Sequence, residues 1–251
     1  MKLQALKIDC SQNYPSTKRT KVFWAVKVIF DFQNEKFDRY LMKKVFEVQA
    51  KMMASGVNPK AANNSKLNRE EKTILANSYA GILSEYCWRI YLNQCSNKYI
   101  VKETELLDIC DQIDLETIQK GLRIEVRSSF ARNGIEFAVC HPEYRFDILG
   151  PYNNKYKANE NEKDFYLRVI YHLNDPTQIL DKINSELEVY LLGGATREMM
   201  EDKNLYVIKD LIPDGALDRE KTKYRVIPYE HAMDTFEVLK CIEEADNGTD
   251  K

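Results

Sequence analysis

The sequence predicts an α/β protein: a mixed β-sheet flanked by helices, preceded by an N-terminal α/β extension. Three observations lead there. Runs of β-branched and aromatic residues, such as VFWAVKVIFDF (22–32), alternate along the chain with segments of helical period. A hydrophobic share of 44% over 251 residues is enough for one large core or two small ones. Finally, LRIEVRSS (122–129) alternates apolar and charged residues, as a strand with one greasy face does, and carries Glu125 and Arg127 on the other.

The extension is assigned to residues 1–67. SQNYPSTKRTK (11–21) is polar and basic and reads as an arm or loop, and VFWAVKVIFDF follows as a strand. NEKFDRYLMKKVFEVQAKMMAS (34–55) places Phe37, Tyr40, Leu41, Val45, Val48 and Met52 at three- and four-residue steps. That is the apolar stripe of an amphipathic helix, with Arg39, Lys43, Lys44 and Lys51 on other faces and Gly56 as C-cap. VNPKAANNSKLN (57–68) reads as the loop at the internal boundary.

The larger unit, 68–251, opens with a capping-box pattern, Asn68 followed by Glu71. The helix it starts carries a stripe of Leu75, Tyr79, Ile82, Leu83, Tyr86 and Ile90, with Glu85 at the border of that stripe. QIDLETIQKGLRIEVRSSF (112–130) reads as a hairpin with its turn near QKG. Residues 131–163 are read as a long, irregular polar connection. FYLRVIYHL (165–173) is a buried strand and DPTQILDKINSE (175–186) a short helix or turn. EVYLLGG (188–194) is a further strand, with Gly193 and Gly194 read as glycines of a strand-to-helix turn before ATREMMEDK. LYVIKDLI, YRVIP and a helix over about 230–244 complete the chain.

Composition narrows the function classes. A formal net charge of −2 argues against a purely electrostatic nucleic-acid binder. No apolar run approaches the ~18 residues of a membrane span, and the N-terminal segment lacks a signal-peptide pattern, so no membrane is expected. The six cysteines, at 10, 87, 95, 110, 140 and 241, show neither C-x-x-C nor zinc-like spacing. Reduced thiols and a cytoplasmic location are the expectation. His141, His172 and His231 are far apart in sequence and make no nucleophile–base pair.

The hairpin carries the chemistry. A turn centred between Gln119 and Lys120 sets Asp114 opposite Glu125 on one face, with Arg127 on that same face; a bulge or a three-residue loop would shift the pairing by one. Two opposed carboxylates repel each other, which raises a pKa or costs stability. A divalent cation between them removes the conflict, and hard oxygens suit Mg²⁺ or Mn²⁺. The alternative is an ordinary solvated strand face, and for Glu85 an ordinary boundary glutamate.

A helix with Glu85, then Asp114, then Glu125–Val126–Arg127 in a strand resembles the PD-(D/E)XK, or restriction-endonuclease-like, nuclease superfamily over roughly residues 68–212. The resemblance implies a restriction-endonuclease-like mixed sheet between helices and Mg²⁺-dependent cleavage of DNA. It implies Asp114 and Glu125 as metal ligands, Glu85 as the added helical acid, and the Val126 carbonyl completing the metal shell. Arg127 stands where that motif has a lysine, and Gln112 and Ile113 stand before Asp114 with no proline. Arginine cannot accept a proton from water, so its role is orientation or charge stabilisation.

The expected activity is that of a type II restriction endonuclease acting on double-stranded DNA as a homodimer. The alternatives are an inactive binding or scaffold relative, or a nuclease for RNA or damaged DNA. Candidate DNA contacts are Arg123, Ser128, Arg132, Lys155 and Lys157, with Tyr152 and Tyr156 interleaved, and secondarily Lys18, Arg19 and Lys21.

Overall fold

A computed structural model describes residues 1–13, 21–56, 70–104, 114–141, 146–153, 162–211 and 222–248. The architecture is mixed α/β, a large and mostly antiparallel sheet flanked by helices. Its seven strands are β1 (Lys2–Asp9), β2 (Val22–Asp31), β3 (Val101–Glu103), β4 (Leu115–Thr117), β5 (Arg123–Phe130), β7 (Phe165–Tyr171) and β8 (Glu186–Thr196), in spatial order β1-β2-β8-β7-β5-β4-β3. Among the described residues, only β5 and β7 pair in parallel. A smaller antiparallel sheet holds β6 (Ile148–Asn153), β10 (Thr222–Ile227) and β9 (Val207–Leu211), in that order.

The large sheet is a wall between two cores. Strand alternation sends Val26, Val28 and Phe30 of β2 into one core and Phe23 and Ala25 into the other. β7 is buried along its whole length, as its run of apolar residues, broken only by Arg168, leads one to expect. The extension and the larger unit share this sheet, because β2 pairs directly with β8.

The helix expected over 34–55 forms as α2 (Lys36–Leu41), a π-helical stretch (Met42–Phe46) and α3 (Glu47–Gly56). Its buried face differs from the expected one. Phe37, Tyr40, Val48 and Met52 are exposed, while Asp38, Leu41, Met42, Phe46 and Ala50 are buried. Two apolar stripes compete in this segment, and the one that reaches the β2 core wins: Phe46 meets Phe30 and Tyr86 edge-on at 6.0 and 4.9 Å. Asp38 is tolerated inside because the Met1 amino group lies 2.7 Å from its carboxylate and the Asp31 N–H donates to it at 2.9 Å.

The helix α4 (Glu71–Cys95) spans the first core. Its N-cap is Glu70, without a side-chain cap hydrogen bond, and Glu71 is the first helical residue; Asn68, the expected cap, and the 57–68 loop lie outside the described residues. The connection 131–163 is not wholly irregular, since it contains α5 (Ile135–Cys140) and β6. Ile135, Ala138 and Val139 give α5 a short buried face that a polar neighbourhood hides from composition. The segment from 175 forms a 3-10 turn (Pro176–Gln178) capped by Asp175, then α6 (Ile179–Lys182).

Gly193 and Gly194 lie within β8 rather than in the turn before α7 (Arg197–Glu201). Gly193 has φ +70°, and a Cβ there would meet the Met233 carbonyl at 2.0 Å, so close approach of a second backbone demands glycine. Beyond Met233, α8 (Thr235–Asn247) is opened by an Asp234–Glu237 capping box. Cys10, in α1 (Cys10–Asn13), and Cys140 form a disulfide across 130 residues, against the expectation of six reduced thiols. Spacing rules could not reveal it, because the fold alone brings α1 to α5. Among the described residues no helix is long and apolar enough to cross a membrane.

The choice of helical face is directly testable. Phe46→Ala is expected to cost about 3–5 kcal/mol in denaturant unfolding, whereas Phe37→Ala stays within about 0.5 kcal/mol. Equal losses would refute the burial described.

Candidate functional site

The predicted hairpin register is observed. β4 pairs with β5 as Leu115↔Ile124 and Glu116↔Arg123, so the next position outward sets Asp114 beside Glu125. The turn is closed by Thr117, whose N–H donates to the Leu122 carbonyl and whose hydroxyl accepts from the Leu122 N–H. β4 stops at Leu115, and there the Asp114 carboxylate accepts the Val126 N–H at 2.6 Å, in place of the next rung of the ladder.

The three acids come from different elements: Glu85 from α4, Asp114 from the residue before β4, and Glu125 from β5. On β5, Ile124 and Val126 pack into the core beneath α4, so Glu125 and Arg127 turn to the opposite face. Glu85 lies on α4, and Asp114 immediately precedes β4, the strand between β5 and β3. Burial first, then the charges of Asp114, Glu103 and Glu125, push the Glu85 carboxyl well above the usual carboxylate range. Burial and the Glu125 charge do the same to Asp114, opposed by the Val126 N–H and by the charges of Arg127 and Lys163.

Cations are interleaved with these acids. Arg127 Nη2 lies 3.0 Å from Glu125 Oε1. Its guanidinium lies over the rings of Tyr152, on β6, and Tyr224, on β10, at 4.8 and 5.8 Å. Arg89, one turn beyond Glu85, pairs with Glu103 of β3 at 2.9 Å. Arg168, register partner of Arg127, is buried; it donates to the Phe146 and Arg127 carbonyls at 3.2 and 3.4 Å and to Ser129 Oγ at 2.8 Å.

Lys163, Glu103, Tyr224 and Arg168 were not singled out from the sequence. Lys163 sits in a polar run that reads as loop, yet it is buried just ahead of β7. The signal for Arg168 was a lone cation inside FYLRVIY.

Three of the five expected DNA contacts, Arg123, Ser128 and Arg132, are among the described residues. Arg123 and Arg132 are exposed, but they flank opposite ends of β5. Ser128 is half-buried on the Val126 side of that strand. Lys21 donates to the Ala232 carbonyl. Lys155, Lys157, Tyr156, Lys18, Arg19, Gln112 and Ile113 lie outside the described residues.

Among the described residues no three His, Cys, Asp or Glu side chains form a group that could hold a metal ion. Two carboxylates with a carbonyl between them still suit Mg²⁺ in kind. That ion keeps several waters and takes one or two carboxylates together with substrate phosphates, rather than a closed protein cage. Asp114, Glu125 and the Val126 carbonyl are the donors that fit.

No protein-family model matches the chain, and no solved structure matches it. Over 148 residues it is 25% identical to an uncharacterized protein of Methanocaldococcus jannaschii. The match covers 49% of this chain and 50% of that protein, so about half of the relative's length is spanned.

Both carboxyl shifts are upward, so the folded protein holds protons on Glu85 and Asp114 that the unfolded chain has released. Their contribution to stability is full below the ordinary carboxyl range and is lost as pH rises through the raised values. Glu85→Gln is therefore expected to raise Tm at pH 8 and change it little at pH 4, at roughly 2–4 °C per kcal/mol for a chain this size. A Tm difference independent of pH would remove the charge explanation.

Proposed function

We propose that the protein is a Mg²⁺-dependent endonuclease that hydrolyses DNA phosphodiesters, with a PD-(D/E)XK-type site and most like a type II restriction endonuclease. The observation that carries this reading is the placing of Asp114 next to Glu125 at the end of β4, with the Asp114 carboxylate accepting the Val126 N–H at 2.6 Å and the Arg127 guanidinium 3.0 Å from Glu125. The element order supports it: helix α4, the antiparallel β3, β4 and β5, a connection through α5, then β7 parallel to β5. That matches the helix, hairpin, long connection and strand on which the resemblance rests.

In this reading Asp114, Glu125 and the Val126 carbonyl hold the ion, with Glu85 as the further acid. When bound, Mg²⁺ supplies Lewis acidity toward a phosphate oxygen and toward the attacking water. The chain's own groups do the rest. Arg127 donates to the phosphoryl oxygens as charge builds there, and it cannot serve as the base. Lys163 offsets the negative charge of Asp114. The substrate is double-stranded DNA, and a two-fold homodimer places two such sites on opposite strands.

A second reading, a binding or scaffold protein without catalysis, is favoured by one observation. Glu125 already has a cationic partner in Arg127, and the described residues hold no three-ligand group.

Plasmid incubation in Mg²⁺ against EDTA separates the two. The nuclease reading expects discrete fragments in Mg²⁺ and none in EDTA. Asp114→Asn and Glu125→Gln, with unchanged circular dichroism, are each expected to lower cleavage by at least about 10²-fold, the scale of losing one group that stabilises transition-state charge. Binding of duplex DNA without cutting, in Mg²⁺ and Mn²⁺ alike, supports the scaffold reading.

A further inference from the structure

We infer that Tyr152 and Tyr224 are positioning residues for Arg127. They fix the plane of its guanidinium so that its edge clamps one anion: Glu125 in the free protein, a substrate phosphodiester in the complex. The second half of this inference rests on the nuclease reading.

The two tyrosines are register partners in the β6–β10 pair, and their rings stack at 5.0 Å with 27° between planes. Arg127 reaches across from β5 and sets its guanidinium carbon 4.8 and 5.8 Å from the two ring centroids. The rings attract the cation through their faces, while every guanidinium N–H lies in the guanidinium plane. A guanidinium laid flat against these rings keeps all its donors in its own plane, available to an anion.

One donor meets Glu125 Oε1 at 3.0 Å. The two side chains are only 13% and 14% exposed, so water competes poorly for that edge. At its base, Arg127 is steadied by Arg168, which donates to its carbonyl. A phosphodiester offers two unbridged oxygens, the match for a planar fork.

The cradle gives a physical account of the arginine at 127. An ammonium has no plane to align and no fork to present. With lysine at this position the stacked tyrosines would set no direction.

Two readouts test the inference on the full-length protein. One is the Arg127 Nε–Hε resonance in ¹⁵N-arginine-labelled protein, assigned by its loss in Arg127→Lys. The other is anisotropy of a fluorescein-labelled DNA duplex in EDTA and in Ca²⁺. The Tyr152→Leu/Tyr224→Leu double variant should shift or broaden the resonance and weaken duplex binding by about tenfold, the scale of a partly desolvated cation–π contact. The Tyr152→Phe/Tyr224→Phe variant should restore both.

An unmoved resonance with wild-type affinity in a folded leucine variant overturns the cradle. So do equal losses in the leucine and phenylalanine variants, because ring faces would then not be the operative feature. Failure of the wild-type protein to cut duplex DNA in Mg²⁺ removes the nuclease reading instead, and the resonance then decides the cradle on its own.

Discussion

The site depends on one hydrogen bond at the end of a short strand, from the Val126 N–H to Asp114. β4 is three residues long, and β5 runs past its end. Past that end, an N–H of β5 facing β4 needs an acceptor, since burying it unpaired costs on the order of 1–3 kcal/mol. A carboxylate fills the place. This draws Asp114 out of water and sets it beside Glu125, the residue that precedes its donor. A longer β4 would satisfy the same N–H with a carbonyl and leave no acid there.

That solution creates a charge problem, which the surroundings resolve only in part. Arg127 answers Glu125, and Arg89 answers Glu103. Glu85 and Asp114 remain in a field of like charge, and both hold protons more tightly than ordinary carboxyls. A divalent cation at these oxygens would compete with those protons, so its affinity would be tied to pH.

Local pattern made part of this legible. Period-two alternation and a glycine-containing turn were enough for the hairpin register, because a slip by one residue would have turned Ile124 and Val126 out of the core. Helical period was enough for α4, whose Tyr79, Ile82, Leu83 and Tyr86 are buried as expected. It was not enough for residues 34–55, where two stripes fit the same period. There the choice between Phe37 and Phe46 was made by Phe30 and Tyr86, which are distant in sequence. Tyr224, Lys163 and the Cys10–Cys140 bond escaped for the same reason. Each acquires its meaning from a partner that only the folded chain brings near.

The parallel pairing of β5 and β7 is what brings those partners in. Antiparallel neighbours can be joined by a tight turn, but parallel ones need a crossover that leaves the sheet and returns. Here that crossover carries α5 and β6 before the chain re-enters at β7. The excursion delivers Tyr152 to the face of β5 that displays Arg127, and β6 recruits Tyr224 by pairing with β10. The return sets Lys163 just ahead of β7, where its charge acts on Asp114. A hairpin at this point would have supplied the carboxylates without the stacked rings or the buried lysine. The one parallel step in an otherwise antiparallel sheet thus converts an acidic hairpin into a site whose cations are held in place.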